Sequence, residues 1–190
     1  MTEETVLPLS SRPVSGIALV GFMGAGKTTV GQALAARLGW AFTDLDRLIE
    51  RRDGRTIEQI FQLAGEPVFR QIEQESLREA LESLQERPSV LALGGGATTR
   101  GENRHLLAST EIAIVFLDAP VEELFRRCEQ PGVVRPLRRD LNRFRELYEA
   151  RRASYGNSTL KIFTGGRDIP SIVEEIISGL KLVPISGASE

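Results

Sequence analysis

Cysteine and lysine are the scarce residues of this 190-residue chain. Cys128 stands alone, which excludes an internal disulfide framework and suits a reducing, cytoplasmic compartment. Lysine occurs only at positions 27, 161 and 181, against 21 arginines, so a lysine inside a motif carries weight. Long apolar runs are missing as well. The longest clean one, residues 112–117, is far too short to cross a bilayer. The acidic start MTEETVLPLS has no apolar stretch of the kind a signal peptide requires. There is no basic excess either: a net charge of -2 and a pI near 5.7 argue against a nucleic-acid partner. Internal repeats and low-complexity segments are absent from the sequence.

What is present is an ordinary globular composition, 41% hydrophobic and 26% charged, in a length suited to one domain. Residues 1–13 and 183–190 mix Pro, Ser, Gly and Glu without periodicity and are expected to be flexible tails, leaving 14–182 as a single domain. Within it, short apolar runs at 17–20, 41–44, 90–93, 112–117 and 160–163 read as strands. They are continuous rather than alternating, so both faces of their sheet should be covered. Amphipathic stretches at 27–38, 68–84, 102–108, 121–128, 141–155 and 172–182 read as helices between them. Thr56-Ile57-Glu58-Gln59 has the form of a capping box and opens one more. Strand–helix alternation of this kind predicts a three-layer α/β sandwich around a five-stranded parallel sheet. Ligands of such sheets bind at the carboxyl ends of the strands.

The first strand runs into Gly21-Phe22-Met23-Gly24-Ala25-Gly26-Lys27-Thr28. This is GxxxxGK[ST] between a strand and a helix, the context in which it cradles nucleotide phosphates. Backbone N–H groups of such a loop point at phosphate oxygens, and the following helix adds the positive end of its dipole. Gly24, Ala25, Gly26, Lys27, Thr28 and Thr29 are therefore expected to hold ATP. Lys27 would reach the β- and γ-phosphates, and the Thr28 hydroxyl would ligate Mg²⁺. The second strand closes on Asp44-Leu45-Asp46. If the segment stays extended, residues 44 and 46 point the same way, toward the phosphate loop. One acid can then hold a hydrated cation and the other can take a hydroxyl proton. Alternatively, the pair is an exposed turn with Asp46 capping a helix that begins at Arg47.

Together, the phosphate loop and the Asp-x-Asp about twenty residues on resemble the shikimate kinases. The resemblance runs from about residue 15 to 182. It implies a P-loop kinase fold with a mobile lid at about 129–142, and ATP-dependent phosphorylation of the 3-hydroxyl of shikimate. It also implies roles for other residues. Asp44 would assist Mg²⁺, and Asp46 would bind substrate hydroxyls and serve as general base. Phe69-Arg70-Gln71-Ile72-Glu73 is similar to the family's FRxxE segment, which makes Arg70 a ligand of the substrate carboxylate. A helical arginine can equally be paired with Glu66 or Glu73. Gly94-Gly95-Gly96 follows the third strand where an ordinary P-loop ATPase has a Walker B aspartate, and the family's glycine triplet there contacts substrate through Gly95 and Gly96.

Residues 126–152 hold nine arginines and no lysine. Val134-Arg135-Pro136-Leu137 looks like the family's lid motif, so Arg135 would fold over the phosphates and stabilise the transferring group. Arg151 occupies the place of a second carboxylate-binding arginine in an R-x-P-L-Y segment, which here reads Arg151-Arg152-Ala153-Ser154-Tyr155. Spacing favours Arg151 over Arg152. The segment 164–170 resembles the loop behind the adenine, with Arg167 stacking on the base and Arg127 packing on its other face. Asp118, which offers a rival Walker B reading, is expected to be a loop or cap residue. The implied partners are ATP, shikimate and Mg²⁺, and with no large apolar interface signal in the sequence a monomer is expected. A gluconate kinase would share the loop without needing two arginines aimed at a carboxylate. A ligand-sensing relative would not need both Lys27 and Asp46, and a GTPase would need an Asn-Lys-x-Asp segment that this chain lacks.

Overall fold

The computed structural model describes residues 14–128 and 140–184, apart from the side chain of Gln85. The expected tail at 1–13, all but residues 183–184 of the expected tail at 183–190, and most of the expected lid with Arg135 lie outside the described residues. In chain order the elements are β1 (Gly16–Val20), α1 (Lys27–Leu38), β2 (Ala41–Asp44), α2 (Leu45–Asp53), α3 (Ile57–Glu86), β3 (Ser89–Ala92), α4 (Gly101–Ala108), β4 (Ala113–Asp118), α5 (Val121–Cys128), α6 (Leu141–Arg152), β5 (Leu160–Phe163) and α7 (Ile169–Gly179). Single 3₁₀ turns at Ala97–Thr99 and Ala153–Tyr155 complete the set among the described residues. The sheet has five strands in the order β2-β3-β1-β4-β5, and all its pairings are parallel.

Successive strand residues face opposite sides of a sheet, and β1 is apolar on both. Ile17 and Leu19 join one core with α1, α6 and α7 side chains such as Leu34, Phe144 and Ile176. Ala18 and Val20 join the other with Ile49, Leu77, Leu81 and Leu107 from α2, α3 and α4. That is the three-layer sandwich, and it explains why the strands read as unbroken apolar runs. From β1 the chain crosses to β2, whereas from β3 it crosses the other way to β4. Connections therefore diverge between the adjacent strands β1 and β3, and a crevice at their carboxyl ends is where such sheets take ligands.

Several boundaries differ from expectation. β4 extends to Asp118, so that residue closes a strand instead of sitting in a loop. It is buried, accepting from Tyr148 Oη at 2.8 Å and pairing with Lys161 Nζ at 3.0 Å. α7 begins at Ile169 rather than near 172, because Asp168 accepts from Ser171 N at 2.8 Å and caps it. The two helices expected around 56–84 run on as one kinked element. The capping box at its start forms on both sides, with Gln59 N donating to Thr56 Oγ1 and Thr56 N donating to Gln59 Oε1. The kink is at Gly65, with φ 81° and ψ 173°.

That backbone conformation is essentially closed to residues with a Cβ. Gly65→Ala should therefore lower unfolding free energy by about 1–3 kcal/mol, read as a reduced urea midpoint at unchanged m-value.

Candidate functional site

The chain leaves β1 at Gly21 and turns into α1 through a loop whose Gly24 has φ +81°. A Cβ there would lie 2.6 Å from Leu124 O, so the loop passes closer to α5 than any side chain allows. Lys27 Nζ donates to Gly21 O at 2.8 Å and to Phe22 O at 3.0 Å, drawn over the loop it closes. Thr28 Oγ1 donates to Asp44 Oδ2 at 2.7 Å. The other Asp44 oxygen accepts from Asp46 N at 3.1 Å and Arg47 N at 3.4 Å, which makes Asp44 the N-cap of α2.

The expected geometry of the acid pair needs correction. α2 begins at Leu45, so Asp46 sits in the first helical turn and the pair does not alternate along an extended segment. The N-cap is Asp44, not Asp46. Both acids nevertheless line one cavity of about 350 Å³, together with Lys27, Thr28, Thr29 and Gly95. Gly24, Gly26 and Arg127 line it too, while Ala25 is buried behind it.

The glycine triplet after β3 touches the charged groups in turn. A Cβ on Gly94 would lie 2.6 Å from Asp46 Oδ1. One on Gly95 would lie 3.7 Å from Arg151 Nη1 and 3.6 Å from Gly21 O. One on Gly96 would lie 3.4 Å from Arg70 Nη1 and 3.5 Å from Arg151 Nη2. Asp46, Arg70 and Arg151, from three distant parts of the chain, thus converge on three consecutive glycines that adjoin the phosphate loop.

Arg70 keeps both of its expected relationships. Its Nη1 donates to Glu73 Oε2 at 2.9 Å and its Nη2 to Glu66 Oε1 at 3.0 Å, while the guanidinium faces Gly96. Glu73 is 1% exposed. Burial pushes its carboxyl above the ordinary glutamate value; Arg70 opposes the shift and the charge of Asp46 adds to it. Arg151 is largely withdrawn from solvent, which lowers its pKa from the ordinary arginine value, and its guanidinium carbon lies 5.8 Å from the Phe22 ring centroid. Arg152 is exposed and lies over Tyr148 instead. Of the two, Arg151 is the one beside the triplet.

On the far side, Arg127 Nη1 donates to Gly24 O at 3.3 Å and its Nη2 to Thr164 O at 2.9 Å, binding α5 to the phosphate loop. Arg167 is not among the cavity-lining residues. It donates to Phe163 O and Ser171 O and pairs with Glu175, next to the start of α7. Two residues of the site were not singled out from sequence. Glu73 was visible only as the last residue of the FRxxE segment and as a partner of Arg70 at i+3. Tyr155, whose hydroxyl donates to Gly95 O at 2.7 Å, was visible only as the last residue of the segment that marks Arg151.

The family model for shikimate kinase matches residues 23–181. A shikimate kinase of Symbiobacterium thermophilum is 42% identical over 170 residues, spanning 87% of this chain and 95% of the relative. One from Persephonella marina is 35% identical over 165 residues, spanning 87% of this chain and 98% of the relative. Among solved structures, the shikimate kinase from Acinetobacter baumannii in complex with shikimate superposes with a TM-score of 0.77 at 34% identity, covering 90% of this chain and 96% of that one.

The buried Glu73 carboxyl gives the site a pH signature. With its folded pKa raised, the folded chain binds this proton more readily than the unfolded chain, so its contribution to stability falls as pH rises through the window above 4.5. Urea unfolding across that window should show the wild type losing stability relative to Glu73→Gln as pH increases. A constant difference between the two would contradict the assignment.

Proposed function

The chain belongs to the shikimate kinase family, and we propose from that premise how this cavity moves the γ-phosphoryl of ATP to the 3-hydroxyl of shikimate. The products are shikimate 3-phosphate and ADP, in the biosynthesis of chorismate and the aromatic amino acids. The observation that carries the reading is the convergence of one carboxylate and two guanidinium groups on the glycines beside the phosphate loop.

Arg70 and Arg151 bind the carboxylate of shikimate, since a planar guanidinium grips a carboxylate through paired N–H groups. Gly95 and Gly96 let the ring approach the backbone. Asp46 orients the attacking hydroxyl and accepts its proton. The loop N–H groups at Gly24, Ala25 and Gly26, with Thr29, hold the triphosphate. Lys27 and, from outside the described residues, Arg135 stabilise negative charge on the transferring group. Arg127 and Arg167 serve the adenine end; Arg127 is supported by its place in the cavity lining. Little covalent work falls to the protein in such a transfer, so positioning and electrostatics carry the rate.

The residues fit Mg²⁺. Thr28 Oγ1 and Asp44 Oδ2 are hard oxygen donors already 2.7 Å apart. Among the described residues no group of three or more His, Cys, Asp or Glu is arranged for a metal, and Mg²⁺ needs no such cage because it keeps waters and takes phosphate oxygens. Thr28 and Asp44 would hold it, and it would supply positive charge that offsets the charge on the phosphates. Among the described residues no helix is long and apolar enough to cross a membrane. A monomer in the cytoplasm, where ATP and reduced thiols prevail, completes the proposal.

ADP release should depend on shikimate and not be supported by gluconate. Asp46→Asn should lower kcat by about 10²–10⁴-fold while calorimetry shows ATP binding retained. Near-normal turnover in that variant would remove Asp46 as the base. Asp44→Asn should raise the Mg²⁺ concentration needed for half-maximal rate.

A further inference from the structure

The turn that ends α6 is tied to the glycine triplet by groups outside the phosphate cavity. Arg151 lies in the last turn of α6, and Ala153–Tyr155 follow directly as a 3₁₀ turn. Tyr155 Oη donates to Gly95 O at 2.7 Å. Ser154 Oγ lies 2.7 Å from Arg151 O and 3.2 Å from Thr98 Oγ1. A serine hydroxyl has one hydrogen to give. The Arg151 carbonyl can only accept, so Ser154 donates to it and Thr98 donates to Ser154. Thr98 belongs to the 3₁₀ turn that follows the triplet.

The result is two ties between the same pair of segments, one at Gly95 and one at Thr98, with Arg151 between them. Tyr155 and Thr98 are 2% and 5% exposed, and hydrogen bonds gain strength in such low-dielectric surroundings. The Tyr155 ring is itself anchored. It stacks on Phe116 with centroids 4.9 Å apart and planes 28° from parallel, and Phe116 is in register with Val20, the last residue of β1. Burial also raises the Tyr155 phenol pKa, keeping it a neutral donor. Where the family segment R-x-P-L-Y has a proline to stiffen this turn through its fixed φ, this chain has Ala153 and Ser154. Ser154 is the middle member of the Thr98–Ser154–Arg151 relay.

We propose that Tyr155, Ser154 and Thr98 are positioning residues that hold the Arg151 guanidinium against Gly95 and Gly96, and so set the affinity for the carboxylate end of shikimate. This rests on the functional reading above. None of the three lines the phosphate cavity, so their influence runs through Arg151 and the Gly95 peptide.

Steady-state kinetics and calorimetric titration with shikimate and with ATP test it. Tyr155→Phe keeps the ring stack and deletes the donor. Its shikimate Kd and KM should rise about three- to tenfold, with ATP KM and kcat within about twofold. Thr98→Val should act the same way, and Thr98→Ser should restore wild-type values. In an Arg151→Lys background, Tyr155→Phe should add less than it does in the wild type, since the two residues act together. The proposal is overturned if Tyr155→Phe leaves shikimate affinity unchanged, if both substrates weaken in parallel, or if the effects are additive with Arg151→Lys. Should Tyr155→Phe fail to fold, the Thr98→Val and Thr98→Ser pair decides. A wild type that ignores shikimate would overturn the functional reading and this inference together. An active wild type with an indifferent Tyr155→Phe would overturn this inference alone.

Discussion

The parallel ladder between β1 and β3 pairs Gly16 through Leu19 with Ser89 through Ala92, and a further bond from Leu93 N to Leu19 O at 3.0 Å carries it to the point where both strands end. At that point one chain becomes the phosphate loop and the other becomes the glycine triplet. Two segments about seventy residues apart in the chain are thereby set side by side at backbone distance. Side chains from α2, α3 and α6 then need only reach this seam to meet one another. If the register slipped by one residue, the inward and outward faces of the strand would exchange, and the triplet would no longer lie against Gly21 and Met23.

Around the seam, two guanidinium groups lie between two carboxylates. Asp46 adjoins Gly94, Arg151 adjoins Gly95, Arg70 adjoins Gly96, and Glu73 stands behind Arg70. Each of these groups is partly or fully withdrawn from water, which is costly for an isolated charge and tolerable for charges that neutralise one another. Glu73 has the deepest burial of the set, and that burial opposes its ionisation. The Arg70 guanidinium is held by two glutamates and the Arg151 guanidinium lies over the Phe22 ring, so both reach the seam already oriented.

Legibility in the sequence followed the range of the interactions. Local patterns were readable: the loop-to-helix transition at Lys27, the Thr56 capping box, and the span of α1 from Lys27 to Leu38. The acid pair was found for a reason the structure does not share, because the capping carboxylate of Asp44 starts α2 one residue after the strand. Asp168 escaped notice as a cap because the Gly-rich stretch before it reads as loop, which shortened α7 on paper. The bond from Tyr155 to Gly95 spans 60 residues, and no periodicity or spacing announces a contact of that kind. Arg70 and Arg151 became legible as a pair only through resemblance, since an arginine on a helix otherwise reads as a solvated surface group.

The scarcity of lysine has a practical side once the amines are located. Lys161 Nζ is engaged by Asp118 and lies over the Phe116 ring, and Lys27 Nζ is drawn onto the carbonyls of the loop it belongs to. Guanidinium groups do not acylate under mild conditions. An amine-selective reagent therefore meets three side-chain targets in all, one of them closing the loop between β1 and α1, and labelling at Lys27 becomes a direct gauge of how well that loop is shielded.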